Sequence, residues 1–339
     1  MQLIQTPKGP LVLLFYDGFE WRARTGKIDR AKAQARRLAR YLYRSARRKQ
    51  VFTGFYTAFL ALRKSLEREG YDVRVNDFAA ARAHPDYPIG IAGYPSVLDA
   101  VRLPNPMIFG PGDFGGTREA AQVAAREQMR FLIQPSDWAR DYYRASCGDK
   151  AVTWFAGIDT EAWPDSASKS KSVDVLIYDK IRWHRDREVP AILDRLTAHL
   201  DARGRSWKVL RYGAHHRNEF ADWLKEARSF AFLCEHETQG LACQEAMSTN
   251  VPIFAWDEGV FVDPALNRDA EQSLQVSSVP YFDSRCGLRF RRDDLEDAFD
   301  RFWDHLPTYH PRDFVKDELS MSASARAYLE LYRRAGSRT

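Results

Sequence analysis

Residues 230–256 read FAFLCEHETQGLACQEAMSTNVPIFAW, and this stretch decides the fold. A first apolar run predicts a buried strand that leads into Glu237, and a short turn with Gly240 precedes a helix that carries Glu245. Asn250 and Pro252 close that helix, and a second apolar run predicts the next buried strand. Two strands joined by a crossover helix are the unit of a parallel sheet, so the stretch predicts an α/β domain.

The alternation of strand and helix continues on both sides of this stretch. VDVLIY and WKVLRYG predict strands upstream of it, and PLVLLFY, PIGIAG and NPMIFG predict strands in the first half of the chain. GIDTEAWPDSASKSKS interrupts the pattern with a polar sequence that is typical of a linker. We therefore expect two Rossmann-like, doubly wound domains that face each other across a cleft at the carboxyl ends of their strands. The expected bounds are 1–157 for the first domain, 158–172 for the linker, 173–315 for the second domain and 316–339 for a last helix.

Composition excludes several classes of protein. The 339 residues are 45% hydrophobic and 13% aromatic, which excludes a disordered or fibrous chain. No apolar stretch is long enough to span a membrane, and the first residues lack the pattern of a secretory signal. The four cysteines are scattered without a C-x-x-C pair, which is typical of reduced thiols. These features predict a cytoplasmic protein.

The spacing of Glu237 and Glu245 predicts a ligand site. One carboxylate follows a strand and the other lies in the helix after it, so both can face the crevice at the end of the sheet. Gly240 lets the backbone approach a ligand closely, and the amide groups at the start of the following helix form an anion site. A diphosphate bound there, beside Thr238 and Leu241 and between two carboxylates that accept hydrogen bonds from hydroxyls, describes a site for a nucleotide sugar.

The same residues resemble a known family. Glu237, Gly240, Glu245-Ala246-Met247 and Pro252 match the E-x₇-E region of retaining GT-B glycosyltransferases of the family-4 type, with Asn250 where the family commonly has Gly. Three other stretches are weaker matches and lie in the right order along the chain: QPSDWARDYYRA, WFAGIDTEAW and CGLRFRRDDLEDAF. The resemblance covers the chain from about residue 130 onward, and the first half only in architecture.

The resemblance implies a GT-B fold, glycosyl transfer with retention, and roles for particular residues. It implies an acceptor-binding domain at 1–157, a nucleotide-sugar domain at 173–315 and a last helix that crosses back to the first domain. Glu237 would hold sugar hydroxyls and Glu245 the ribose, and Lys180 and Arg185 would neutralise the leaving diphosphate, with Arg182 as a competing candidate. The remaining candidates are Arg211 and Tyr212 beside the base, Gly54 near the sugar and diphosphate, and Asp113 on the acceptor side.

The absence of one motif and the presence of a cationic pair bear on whether catalysis needs a metal or a cofactor. No two aspartates lie two residues apart, so the D-x-D metal motif of GT-A transferases is absent from the sequence. With a cationic pair in its place, we expect catalysis without a metal or a cofactor other than the nucleotide-sugar co-substrate. Two other functions stay open, a GT-B-type nucleotide-sugar epimerase and a non-catalytic relative that binds a glycan or a partner.

A basic segment precedes the second predicted helix. Residues 27–49 hold ten Lys and Arg against one Asp, in a chain whose net charge is +5. Ile28, Ala31, Ala35, Leu38, Leu42 and Ala46 form one face of a predicted helix, and arginines including Arg36, Arg37, Arg40 and Arg44 fill the others. Three interpretations remain: a solvated surface helix, a helix that docks peripherally on the inner face of an anionic membrane, or a grip on a polyanionic glycan or lipid-linked acceptor. Because the excess charge is local, no nucleic-acid partner is expected.

Overall fold

The computed structural model describes residues 1–18, 31–32, 34–36, 38–39, 43, 54–266 and 274–337. The chain divides into two compact units. Unit 1 combines the described residues up to Gly157 with those from Met321 onward, and unit 2 spans Ile158–Ser320. Residues 158–172 are therefore grouped with unit 2.

Strands and helices alternate along both units. The strands are β1 (Gln5–Thr6), β2 (Gly9–Asp17), β3 (Asp72–Val75), β4 (Ile89–Gly93), β5 (Met107–Gly112), β6 (Met129–Gln134), β7 (Ala151–Thr153), β8 (Val173–Asp179), β9 (Trp207–Arg211), β10 (Ala227–Leu233), β11 (Ile253–Trp256) and β12 (Gly287–Phe290). The helices are α1 (Gly54–Arg68), α2 (Phe78–Ala83), α3 (Val97–Ala100), α4 (Thr117–Ala124), α5 (Asp137–Cys147), α6 (Arg185–Glu188), α7 (Arg195–Ala202), α8 (Arg217–Glu226), α9 (Leu241–Ser248), α10 (Leu295–Asp304), α11 (Pro311–Glu318) and α12 (Met321–Ala335). A π-helical turn, Val189–Asp194, joins α6 to α7.

Unit 1 is built on a seven-stranded sheet. Its parallel strands lie in the order β3-β2-β4-β5-β6-β7, and β1 pairs antiparallel with the start of β2. The side chains of β2 are buried from Leu11 to Asp17, as expected for a central parallel strand covered on both faces.

The last helix, α12, belongs to the core of unit 1. Tyr328 and Tyr332 are fully buried. The Tyr332 hydroxyl accepts a hydrogen bond from the Leu13 backbone amide at 2.9 Å and donates one to the Pro88 carbonyl oxygen. The helix is thus held to β2 and to the residue before β4.

Unit 2 has a five-stranded parallel sheet in the order β12-β11-β10-β8-β9. On one face, Phe254 of β11 stacks on Phe290 of β12 with ring centroids 4.2 Å apart, and Phe299 and Phe302 of α10 pack against Phe254. Fully burying side chains of this size contributes roughly 1.5–3 kcal/mol each, so this cluster anchors α10 to the sheet.

Both sheets show the doubly wound strand order. In each unit the second parallel strand of the chain lies on one side of the first, and the third lies on the other side. The direction in which successive strands are added to the sheet therefore reverses between β2 and β4 in unit 1 and between β8 and β10 in unit 2. Ligands of doubly wound sheets bind at such switch points, beyond the carboxyl ends of the strands. The predicted α/β fold class, with two doubly wound domains, is confirmed.

The basic segment is described only in part. The described residues from 31 to 43 are helical and exposed, and Arg36 is among them. Arg37, Arg40 and Arg44 lie outside the described residues. Within the described ranges, no helix is long and apolar enough to span a bilayer.

Candidate functional site

A buried ion pair lies at the switch point of unit 2. Lys180 follows β8, Glu237 lies in the loop after β10, and the Lys180 ammonium is 2.6 Å from a Glu237 carboxylate oxygen. Each side chain is only 11% exposed. Burial works against both charges, but the opposite charge outweighs it, so the pKa of Glu237 is lowered and the pKa of Lys180 is raised. Both groups are therefore charged at neutral pH.

Arg182 is the second cation beside Glu237. Its guanidinium is 3.6 Å from the Glu237 carboxylate, and it also donates a hydrogen bond to the His236 carbonyl oxygen. Arg185 makes different contacts: it binds both carboxylate oxygens of Asp179 at 2.8 and 2.7 Å. The structure thus brings Arg182, rather than Arg185, to the Lys180–Glu237 pair.

Glu235 holds the two loops of this site together. Its carboxylate accepts hydrogen bonds from the backbone amides of Arg182 and Trp183, both at 2.9 Å. Burial raises the pKa of Glu235, while these amide hydrogen bonds act to lower it. Sequence reasoning missed this residue, although a second glutamate directly after a buried strand is a signal that was available.

An aromatic stack borders the cations. The His236 ring lies between Trp183 and Phe261, with centroid distances of 4.9 and 4.7 Å. Burial lowers the pKa of His236 to about 4, so the imidazole is neutral at physiological pH. His236 therefore contributes no charge to the site, and the three stacked rings form one side of it. Sequence reasoning also missed His236, whose position between two aromatic rings depends on loops that are distant in the sequence.

The turn before α9 has the conformation of an anion-binding helix start. Gly240 has φ of +81°, which favours glycine, and it precedes the first residue of the helix, Leu241. Gln244 and Gln239 exchange hydrogen bonds of 2.9 Å that fix the turn, and Thr238 is exposed beside it. The first amide groups of a helix have no partners inside it and carry partial positive charge, so a phosphate can bind here.

Glu245 lies on α9 beside two other residues. Arg217 at the start of α8 is 2.8 Å from its carboxylate, and the Trp163 side chain acts to lower its pKa. Burial raises the pKa of Glu245 to about 7, against the opposite influence of these two partners. Neither Arg217 nor Trp163 was a predicted site residue.

Tyr212 and Arg211 lie at the carboxyl end of β9. The Lys180 ammonium is 4.5 Å from the centre of the Tyr212 ring, and the tyrosine is 43% exposed. Arg211 is the last residue of β9 and is exposed. An exposed ring over a site cation can stack on a planar ligand group.

The remaining predicted residues belong to unit 1. Gly54 begins α1 and is exposed, and Asp113 follows β5, where its backbone amide donates to the Gly93 carbonyl oxygen at 3.4 Å. The residues that the structure brings together are therefore those after β8 and β10 and at the start of α9. Two cations, a carboxylate and a helix start can together bind a diphosphate and a hydroxylated group attached to it.

No family model and no curated protein matches the sequence, but solved structures match the fold. AviGT4, a glycosyltransferase involved in avilamycin A biosynthesis, is 13% identical with a TM-score of 0.56, covering 97% of this chain and 99% of that chain. Sucrose-phosphate synthase from Thermosynechococcus elongatus is 12% identical with a TM-score of 0.54, covering 96% and 98%. A TarM variant from S. aureus is 11% identical with a TM-score of 0.51, covering 73% of this chain and 56% of that chain. At these identities the likeness shows the fold, which is GT-B, as the sequence predicted.

Proposed function

We propose that this chain is a glycosyltransferase that moves a sugar from a nucleoside diphosphate sugar to a glycan or lipid-linked acceptor. The observation that carries the proposal is the cluster of Lys180, Arg182 and Glu237 at the switch point, next to the helix start at Gly240. The AviGT4 structure is named a glycosyltransferase, and the TarM variant was crystallised with UDP and α-GlcNAc-glycerol. Both names support the same class of donor and reaction for this chain.

The proposed chemistry begins with the bond between the anomeric carbon and the diphosphate. As this bond breaks, its electron pair stays on the diphosphate oxygen and negative charge develops there. Lys180, Arg182 and the start of α9 are arranged to stabilise that charge without first reorganising solvent. The acceptor hydroxyl then bonds to the anomeric carbon on the face that the diphosphate left, and its proton passes to the departing diphosphate oxygen, so the configuration is retained.

The two motif glutamates have different proposed roles. Glu237 is ionised beside the cations, so it can accept hydrogen bonds from sugar hydroxyls and stabilise positive charge as it develops in the ring. Glu245 lies on α9 and is paired with Arg217, and we assign it to accept hydrogen bonds from the ribose. We place the acceptor on unit 1, with Asp113 as its candidate contact and Gly54 as a candidate contact of the donor sugar and diphosphate. The enzyme would work in the cytoplasm, with the basic segment contacting a membrane surface.

Two steps test this proposal. Nucleotide sugars are first screened by thermal shift, because a ligand at 100 times its Kd stabilises the folded state by roughly 2.7 kcal/mol. The donors that bind are then incubated with and without glycan or lipid-linked acceptors, and the configuration of the product is read by NMR. Turnover of the donor without any acceptor would support an epimerase, and absence of binding to every donor would support a non-catalytic relative.

Metal independence is tested in the same assay. Because two side-chain cations are available for the diphosphate, we expect transfer activity to survive EDTA. Loss of activity on chelation, restored by Mn²⁺ or Mg²⁺, would contradict the role given to Lys180 and Arg182.

A further inference from the structure

Glu245 is the site carboxylate that an arginine from another helix reaches. Arg217 is the first residue of α8, and its guanidinium is 2.8 Å from the Glu245 carboxylate on α9. Glu245 is 15% exposed, whereas the Arg217 side chain is 61% exposed and so enters the site from its solvent side. The contact joins two helices that flank the carboxyl ends of β9 and β10.

A buried tryptophan fixes the position of this arginine. The Arg217 guanidinium lies 5.1 Å from the centre of the Trp163 ring, and Trp163 itself is 4% exposed. The Trp163 carbonyl oxygen accepts hydrogen bonds from Ser248 at 3.0 Å and from Arg312 at 2.8 Å. The Trp163 side chain also acts to lower the pKa of Glu245, so the arginine and the carboxylate both lie beside the same buried residue.

We propose that Arg217 is a positioning residue for the nucleotide, which holds the Glu245 carboxylate ionised and oriented for the ribose hydroxyls. Arg217 contacts one of the two carboxylate oxygens, Oε1. The inference rests on the proposed function, since it assumes that Glu245 binds the nucleotide. It adds a residue that lies outside the E-x₇-E motif.

The other titratable and charged groups around α9 do not replace Arg217. Tyr178 on β8 is neutral because burial raises its pKa, and Glu237 is paired with Lys180. Arg312 on α11 directs its guanidinium to carbonyl oxygens of Trp163, Ser248 and Thr160. Among the residues that the structure describes, Arg217 is therefore the cation that contacts Glu245.

The position of the Glu245 pKa makes the role measurable. Burial raises the pKa of Glu245 to about 7, so the carboxylate is ionised above that pH and protonated below it. Nucleotide affinity that depends on the ionised form is complete at high pH and falls as the pH drops through this value. A nearby opposite charge lowers a carboxyl pKa by about one to three units, and solvent exposure of Arg217 favours the lower end. Loss of Arg217 therefore moves the fall in affinity to higher pH.

The experiment is a pH series of calorimetric titrations of the full chain with UDP, ADP and GDP. For the nucleotide that binds, Arg217→Ala is expected to lower affinity about 5- to 10-fold at pH 7 and to raise the midpoint of the pH profile by about one unit. Arg217→Lys keeps the charge and should restore the midpoint. Lys225→Ala is the matched control, since it removes a cation from the same helix that pairs with Asp222 at 2.7 Å instead of Glu245. Glu245→Gln shows the part of the pH dependence of affinity that comes from ionisation of the nucleotide itself.

Each outcome separates the inference from the proposed function. Tighter binding by Arg217→Ala would mean that Arg217 competes with the ribose, and an unchanged affinity and midpoint would mean that it has no role. Either result overturns the inference while wild-type binding keeps the proposed function. A pH profile of Glu245→Gln that is identical to that of the wild type also overturns it, because the whole pH dependence would then belong to the nucleotide. Failure of every nucleotide to bind the wild type overturns the proposed function and the inference with it.

Discussion

Glu237 is ion-paired inside the protein, so its charge matters for stability as well as for the proposed chemistry. Glu237→Gln keeps the shape and removes the charge that would stabilise a cationic sugar in the transition state. We expect kcat to fall by about 100-fold or more with little change in nucleoside diphosphate affinity, because the lost interaction strengthens only in the transition state. Steady-state kinetics and calorimetry measure the two effects. A loss of affinity with kcat unchanged would assign Glu237 to binding alone.

A double variant separates the two contributions of this pair. Removing one partner of a buried ion pair commonly costs about 3–5 kcal/mol, because the other charge stays buried. Glu237→Gln should therefore also lower the thermal midpoint. The pair Lys180→Gln with Glu237→Gln removes the buried ammonium together with the carboxylate and leaves only the partly exposed Arg182 guanidinium, so it should regain part of the stability and remain inactive.

The two arginines after β8 make a matched pair of variants. Arg182 is close to Glu237, so Arg182→Gln is expected to lower kcat by about 10- to 100-fold with a small change in stability. Arg185 holds the buried carboxylate of Asp179, so Arg185→Gln is expected to cost about 1–3 kcal/mol of stability and much less activity. Denaturation curves and initial rates on both variants check this. The opposite ranking would return the diphosphate role to Arg185, as the family spacing implied.

The sequence singled out Lys180, Arg182, Glu237 and Glu245 because each lies at a fixed distance from a recognisable strand or helix. The family spacing favoured Arg185 and left Arg182 as a competing candidate, because the direction of a side chain in a turn depends on its partners and not on its spacing. Those partners, Asp179 for one arginine and Glu237 for the other, are set by the tertiary structure. Arg217 and Trp163 are distant from Glu245 in the sequence, so no local spacing of residues predicts that they lie beside it.

The turn that begins α9 can be tested against a second glycine turn. Gly240 at φ +81° has ordinary space for a Cβ, and Gly204 after α7, at φ +64°, has no atom within 4 Å. Alanine at either position is expected to lower the stability of the folded protein only by the cost of a left-handed backbone, about 1–2 kcal/mol. We expect Gly240→Ala to weaken nucleoside diphosphate binding several-fold and Gly204→Ala to leave it unchanged at a similar loss of stability. Equal binding by both variants would remove the helix start from the proposed site.

Most elements follow from hydrophobic periodicity, and one departure has a local cause. The apolar runs predicted β2, β8, β10 and β11, since central strands of a parallel sheet are buried on both faces. Between α6 and α7 the chain departs from a regular α-helix and forms a π-helical turn, Val189–Asp194. Pro190 lies in this turn and has no amide to donate, so the regular hydrogen-bond ladder is interrupted.

At the scale of the whole molecule, the alternation of strands and helices was sufficient to predict two doubly wound domains. It was not sufficient to predict the strand order, because the periodicity of a strand does not specify its neighbours. The order in unit 2 places β8 beside β10 and so brings Lys180 to Glu237. The proposed site therefore depends on the strand order, which the local sequence pattern does not specify.

The charge distribution of the whole chain supports a last prediction. Residues 27–49 carry ten basic residues and one acid, a net +9, and the chain total of +5 leaves −4 for all other residues. A membrane contact should therefore depend on this segment and weaken with salt, since each basic residue near an anionic surface contributes on the order of 1 kcal/mol.

Replacing Arg36, Arg37, Arg40 and Arg44 by Gln is expected to lower binding to anionic vesicles by roughly 100-fold or more, measured by co-sedimentation at low and high salt. The matched control replaces four exposed arginines of unit 1, Arg102, Arg126, Arg130 and Arg144, and loses the same charge. If both variants lose binding equally, net charge alone attracts the protein, and if the wild type stays in the supernatant, the segment serves the acceptor or only solvent.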